Sequence, residues 1–242
     1  MKDRRPFIEN GVYQHIYQRT MDRNTLFLSS YDALFFITVY WMYSFRYNVE
    51  TIAFCLMNNH FHVLCKTSES SMIGFVRDCT AFFAFRYNQY HKRTGPLFQR
   101  GFGYAAKYGG KKIRTCICYI NNNPVEAHLV DTMDKYVWNM FAYGKDSNPF
   151  SSPIKLKKAS QKLRRSLQEV DVAYNQRECL SYVVLEHIFK GLAENEKLQL
   201  RDYILKKYSP ISYAKVSYIF GDLDKACLAI NTFMGSEHDI KM

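Results

Sequence analysis

Residues 49–66, VETIAFCLMNNHFHVLCK, decide the fold of the first half of this 242-residue chain. Two short apolar runs, 49–57 and 60–66, are separated only by Asn58 and Asn59. Apolar runs of strand length joined by two such turn residues predict a β-hairpin.

The segments on either side of this hairpin alternate between strand and helix patterns. The sequence predicts a strand over 11–19 and a helix over 30–47 before the hairpin. After the hairpin it predicts a second helix, which Ser70 and Ser71 can cap and which ends near residue 90. A fourth strand follows over 100–107. These six elements have the ferredoxin-like (RRM-like) succession. The predicted fold class is therefore α+β, with an antiparallel sheet and helices on one of its faces.

A third helix is predicted after Gly109 and Gly110, and it should end near Asn123 because Pro124 disfavours helical geometry in the residue before it. Further on, residues 143–153 are rich in Gly, Ser, Asn and Pro, which is typical of a boundary. The remainder is helix-patterned. The sequence thus predicts two parts, residues 1–148 and a helical C-terminal region over 149–242.

Cysteine usage and hydropathy give a first indication of location. The seven cysteines are an odd number scattered along the chain, which favours reduced, mostly buried thiols over a disulfide framework. No apolar run is long enough to span a membrane, and no secretory signal is evident. A cytoplasmic location follows as an expectation.

Charge points to a polyanionic partner. The formal net charge is +11, and residues 79–125 contain no acidic side chain, while eight basic ones are interleaved with aromatic rings. Basic groups can neutralise phosphates, and exposed rings can stack on unpaired bases. The alternative is a solvated basic face whose aromatic residues lie in the core.

Two short motifs carry candidate chemistry. Strand alternation places His60 and His62 on one face, where two neutral imidazoles can chelate a divalent cation. Tyr119 and Asn123, four residues apart, project from one face of the predicted third helix. Each motif alone also fits an ordinary role, namely a hydrogen-bonded histidine, a core tyrosine or a residue that ends a helix.

The combination of three segments is more specific than any one of them. The segments CLMNNHFHVL (55–64), GPLFQR (95–100) and YINNNPVEA (119–127) stand in the order and near the spacing found in single-tyrosine HUH transposases. The chain resembles most the REP-associated tyrosine transposases and the IS200-like family, over roughly residues 10–145. HIYQR (15–19) and YVW (136–138) add to the likeness.

This resemblance implies a site and an activity. His60 and His62 would bind Mg²⁺ or Mn²⁺, Asn123 would be a third ligand, and Tyr119 would attack single-stranded DNA to give a 5'-phosphotyrosine. Residues 1–148 would be the catalytic domain. The resemblance does not reach residues 149–242, but their basic charge and helical pattern predict that they bind DNA or mediate association. The expected DNA contacts are Arg19, Gln99, Arg100, Lys111, Lys112 and Arg114.

The resemblance also has departures and alternatives. Asn58 stands where relatives often have proline, which is expected to alter only the turn. Glu126 stands where many relatives have a basic residue, which leaves the local DNA contact open. The expected partner is hairpin or repeat DNA, and no membrane partner is expected. The protein is expected to associate with the nucleoid, and the sequence leaves open whether it forms a homodimer. The same residues also fit a rolling-circle replication initiator or relaxase, a hairpin-binding module that does not cut, or a metal-dependent hydrolase that uses water.

Overall fold

A computed structural model describes residues 12–233. Its strands are β1 (Tyr13–Arg19), β2 (Glu50–Met57), β3 (His60–Lys66) and β4 (Gly103–Lys107). The helices of the first half are α1 (Ser30–Arg46), α2 (Glu69–Tyr90) and α3 (Gly109–Glu126). The C-terminal helices are α4 (Gln161–Asn175), α5 (Tyr182–Phe189), α6 (Glu194–Lys207), α7 (Tyr213–Phe220) and α8 (Leu223–Asn231).

The four strands form one antiparallel sheet in the order β2-β3-β1-β4. This order, with α1 and α2 as the connecting helices, confirms the ferredoxin-like, α+β prediction. The predicted hairpin pairs Met57 with His60 across its two-asparagine turn. In the predicted first strand, Gly11 lies outside the described residues.

The two faces of the sheet carry different helices. On one face α1 packs through Phe36 on Phe61 and through Tyr40 on Phe54, with ring centroids 5.1 and 4.7 Å apart. On the opposite face lies α3, whose Tyr119 ring is 5.8 Å from that of His62. The expectation of helices on one face therefore holds for α1 and α2, while α3 covers the other.

Three predicted boundaries differ from the structure. The cap of α2 is Ser68, whose hydroxyl accepts the backbone N–H of Ser71, so the helix begins before the predicted Ser70 and Ser71 caps. Strand β4 begins at Gly103 and not at residue 100, because residues 99–102 form a loop.

The third difference lies in α3, which passes through Pro124 and ends at Glu126. Proline lacks the N–H that would bond to the carbonyl of Ile120. The Asn123 side chain supplies nearby donors in its place, since its Nδ2 lies 2.7 Å from the carbonyl oxygen of Tyr119 and 3.5 Å from that of Ile120. The predicted stop at Asn123 was therefore wrong.

The C-terminal helices pack directly on the first half of the chain. Trp41 of α1 stacks on Tyr174 of α4 at 4.5 Å, and Phe35 contacts Tyr182 of α5 at 4.7 Å. A backbone hydrogen bond also joins Ser212 to strand β2. Buried residues of both parts thus form one continuous core. No helix within residues 12–233 is long and apolar enough to cross a membrane, and all seven cysteines are free thiols.

A buried carboxylate ties the C-terminal part to the sheet domain. Asp32 is fully buried. One of its carboxylate oxygens accepts a hydrogen bond from the Tyr182 hydroxyl at 2.8 Å and lies 2.7 Å from His91 Nε2. The other oxygen accepts the backbone N–H of Ser29.

We expect Asp32→Ala to lower the free energy of unfolding by about 3 kcal/mol, because three polar groups lose their partner. Asp131→Ala, which removes an exposed pair, should change it by less than about 0.5 kcal/mol in the same urea titration. Equal effects would contradict the assigned role of Asp32.

Candidate active site

Three imidazoles meet on the face of the sheet that α3 covers. His62 is buried, and its Nδ1 lies 3.0 Å from Nε2 of His15 on the neighbouring strand β1. His60 stands nearly perpendicular to His62, with 4.9 Å between the ring centroids. The sequence analysis did not include His15 among the site residues. Its signal in the sequence was its place at the start of HIYQR (15–19), one of the segments that add to the likeness with the transposases.

A hydrogen-bond relay fixes the tautomer of His60. The Nδ2 of Asn59 donates to the carbonyl of Arg23 at 2.8 Å, so its Oδ1 faces His60 Nδ1 at 2.7 Å. The His60 Nδ1 therefore carries the proton and donates it. Its Nε2 keeps a lone pair, which is the arrangement typical of a histidine that binds a metal.

Both predicted ligands are held neutral. Burial, followed by the positive charge of Arg19, lowers the pKa of His60 to about 4. Burial, followed by the neighbouring His15, holds the pKa of His62 well below its usual range. Near pH 7 the two imidazoles are uncharged, and this is the form that binds a cation.

Tyr119 of α3 faces these histidines. Its half-buried ring meets His15 and His62 edge-on, with centroid distances of 5.8 Å to each. Asn123, one turn later, uses its amide nitrogen within α3, which leaves its oxygen as the atom that could bind a cation.

His60, His62 and the Asn123 oxygen fit a divalent metal ion whose coordination shell the protein supplies only in part. Across residues 12–233, no group of three or more His, Cys, Asp and Glu side chains is placed to hold a metal ion. A cation at His60 and His62 would therefore draw its remaining ligands from an amide oxygen, water or a phosphate. Such open shells are typical of catalytic metal sites.

The six predicted DNA contacts are exposed and fall into two groups. Arg19 is the register partner of His60, and its carbonyl accepts the N–H of Gln99 at 2.9 Å, so Arg19, Gln99 and the adjacent Arg100 flank the histidines. The second group lies on the first turns of helix α3 and consists of Lys111, Lys112 and Arg114. These turns lie at the opposite end of β1 from Arg19, because α3 starts just after Lys107, which pairs with Tyr13.

Comparisons with known proteins give one match by sequence and one by fold. Residues 9–123 match the family model described as Transposase IS200 like. No curated protein matches the chain. A solved structure, "Structure of the REP associates tyrosine transposase bound to a REP hairpin", is similar with 14% sequence identity and a TM-score of 0.50, covering 66% of this chain and 96% of that one. This likeness concerns the fold, whereas the family match concerns the sequence: residues 9–123 of the chain are similar to the IS200-like transposases.

Proposed function

We propose that this protein cuts and rejoins single-stranded DNA, with Tyr119 as the nucleophile and a divalent metal bound at His60 and His62. The observation that carries the proposal is the position of the Tyr119 ring, 5.8 Å from that of His62, inside the segment that matches the transposase family. A phenol beside neutral imidazoles suits attack on an unpaired strand. A duplex would hold its backbone away from a tyrosine in this position.

In the proposed reaction the phenolic oxygen of Tyr119 bonds to the scissile phosphorus, and the bond from phosphorus to the 3'-oxygen breaks. The products are a 5'-phosphotyrosine and a free 3'-hydroxyl, which takes up a proton as the phenol loses one. A phenol with an ordinary pKa near 10 is a poor nucleophile at neutral pH. Mg²⁺ or Mn²⁺, with Asn123 as a third ligand, would supply positive charge that activates the phosphate. Attack by a 3'-hydroxyl on the phosphotyrosine reverses the exchange, so rejoining needs no ATP.

The proposed substrate is hairpin or repeat DNA. The structurally similar REP-associated transposase is bound to a REP hairpin, and this chain has a net charge of +11. Arg19, Gln99 and Arg100 would hold the strand beside the histidines. The second basic group, Lys111, Lys112 and Arg114, and the helices after residue 149 would contact flanking DNA or support association, including a homodimer.

The proposal is tested with single-stranded hairpins labelled at one end. A 3'-end label should move with the protein on a denaturing gel in Mn²⁺ and stay free in EDTA, because the tyrosine joins the 5'-phosphate of the downstream fragment. A 5'-end label should instead mark a shorter oligonucleotide with an extendable 3'-hydroxyl. Binding without any adduct would favour a hairpin-binding module, and cleavage without an adduct would favour a hydrolase that uses water.

Asn59→Ala is expected to weaken Mn²⁺ binding about 10- to 100-fold, because His60 loses the acceptor that fixes its tautomer and ring orientation. Calorimetric titration with Mn²⁺ measures this, and the adduct yield should recover as Mn²⁺ is raised. Asn58→Ala, in the same turn but with an exposed side chain, is the matched control. Equal Mn²⁺ affinities for the two variants would show that Asn59 does not position His60.

A further inference from the structure

The face of the sheet opposite Tyr119 carries a groove beside the predicted DNA contacts. This cavity of about 490 Å³ lies between helix α2 and the segment that leads into β4, and we name it the Gln18 groove. Its walls are mainly apolar. They include Gln18, Thr80, Ala84, Leu97, Phe98 and Phe102.

Gln18 is the polar group in this wall whose hydrogen bonding is incomplete. The side chain is 8% exposed, and its Nε2 reaches the carbonyl of Gln99 only at 3.4 Å. Its Oε1 is buried without a partner among the described residues. A buried carbonyl oxygen without a donor is unfavourable, so a ligand that brings an N–H would be stabilised there. Rotation about the last side-chain torsion, which has a broad two-fold profile, can turn the oxygen into the groove, and it gives up only the long 3.4 Å contact between Nε2 and the Gln99 carbonyl.

We infer that the Gln18 groove binds one unpaired nucleobase of the DNA strand, close to the cleaved phosphate. An N–H on the edge of the base would donate to Gln18 Oε1, and the ring would pack on Phe98 and Phe102. Base–aromatic packing combined with an amide hydrogen bond is how proteins hold bases taken out of a stack. This inference rests on the proposed function, since it requires single-stranded DNA as the substrate.

The surroundings favour a nucleotide over an apolar peptide as the occupant. Arg19 follows Gln18 in β1 and points to the other face, beside His60, so one strand could contact both residues at this end of the sheet. Gln99 and the exposed Arg100 lie on the path between them. The wall residue Arg77 is paired with Asp78 at 2.7 Å, which neutralises that carboxylate. From residue 79 to 125 the sequence adds only positive charge.

Binding measured with abasic DNA tests this inference without relying on cleavage. Each nucleotide in the single-stranded segment beside the hairpin is replaced in turn by an abasic residue, and dissociation constants are measured by fluorescence anisotropy in EDTA. The abasic replacement at one position should weaken binding by about tenfold, which is the usual effect of losing one packed base. In Gln18→Leu, which keeps the side-chain volume and removes the unpaired oxygen, a base in the groove would bury its N–H without an acceptor, which offsets the gain from packing. The penalty at that position should therefore fall below about twofold.

A second variant and a control keep the test independent of folding. Ala84→Leu adds bulk to the groove wall without removing packed atoms, and it should also abolish the position-specific penalty. Gln89→Leu, on the same helix but outside this groove, should retain it. A penalty at no position, or one that persists in both groove variants, would overturn the inference.

The failure of the groove and the failure of the proposed function give different results. Adduct formation by the parent protein on unmodified DNA, without a position-specific penalty, would overturn the groove alone. A penalty that disappears in Gln18→Leu, without any adduct in Mn²⁺, would overturn the cleavage proposal and leave the groove as a binding site. Absence of single-stranded DNA binding at low salt would overturn both.

Discussion

Tyr119→Phe is expected to lower the yield of covalent protein–DNA adduct by roughly a thousandfold or more, because it removes the oxygen that attacks phosphorus in the proposed reaction. The ring remains, so its edge-on contacts with His15 and His62 should persist. DNA binding should therefore stay within about twofold of the parent protein. The measurement is the amount of 3'-labelled DNA that moves with the protein on a denaturing gel.

Two other tyrosines serve as matched controls. Tyr104 lies on β4 and Tyr108 caps α3. Tyr104→Phe and Tyr108→Phe should form adduct at close to the parent yield. An adduct that persists in Tyr119→Phe and maps by peptide mass to Tyr104 or Tyr108 would show that the nucleophile is not Tyr119. The proposal that a basic protein cleaves DNA with the help of a metal would still stand.

Local patterns were sufficient to predict the sheet and its first two helices. The apolar runs around Asn58 and Asn59 defined the hairpin, and their bounds agree with the structure to within one residue. Helix α1 begins at Ser30 as predicted, since Ser29 and Asp32 form a capping box at its start. These signals are local, so they could be read without knowledge of distant contacts.

The site was only partly predictable because its other features depend on contacts that are distant in sequence. His15 meets His62 from a neighbouring strand, 47 residues away. Helix α3 could have packed with α1 and α2, and only the fold places it on the opposite face. The passage of α3 through Pro124 depends on the Asn123 side chain, which a rule about proline neighbours does not include.

Burial separates the roles of the two predicted ligands. His62 is 3% exposed and pairs with His15, whereas His60 is partly exposed at the end of β3. Replacement of His62 by alanine would leave a cavity and remove the hydrogen bond between His62 and His15, at a cost of about 2–4 kcal/mol. A loss of activity in His62→Ala therefore combines the loss of a ligand with the loss of packing.

His60→Ala is the cleaner test of the metal. It should lower adduct formation at least roughly a hundredfold, since the positive charge that activates the phosphate would no longer be held in place. The melting temperature should change little, and DNA should still bind at low salt, because phosphate contacts by lysine and arginine do not require the metal. His128→Ala, which replaces an exposed histidine just after α3, should behave like the parent protein in all three measurements. Adduct formation at the parent yield in His60→Ala, or in EDTA, would show that the tyrosine reacts without a metal at this histidine pair.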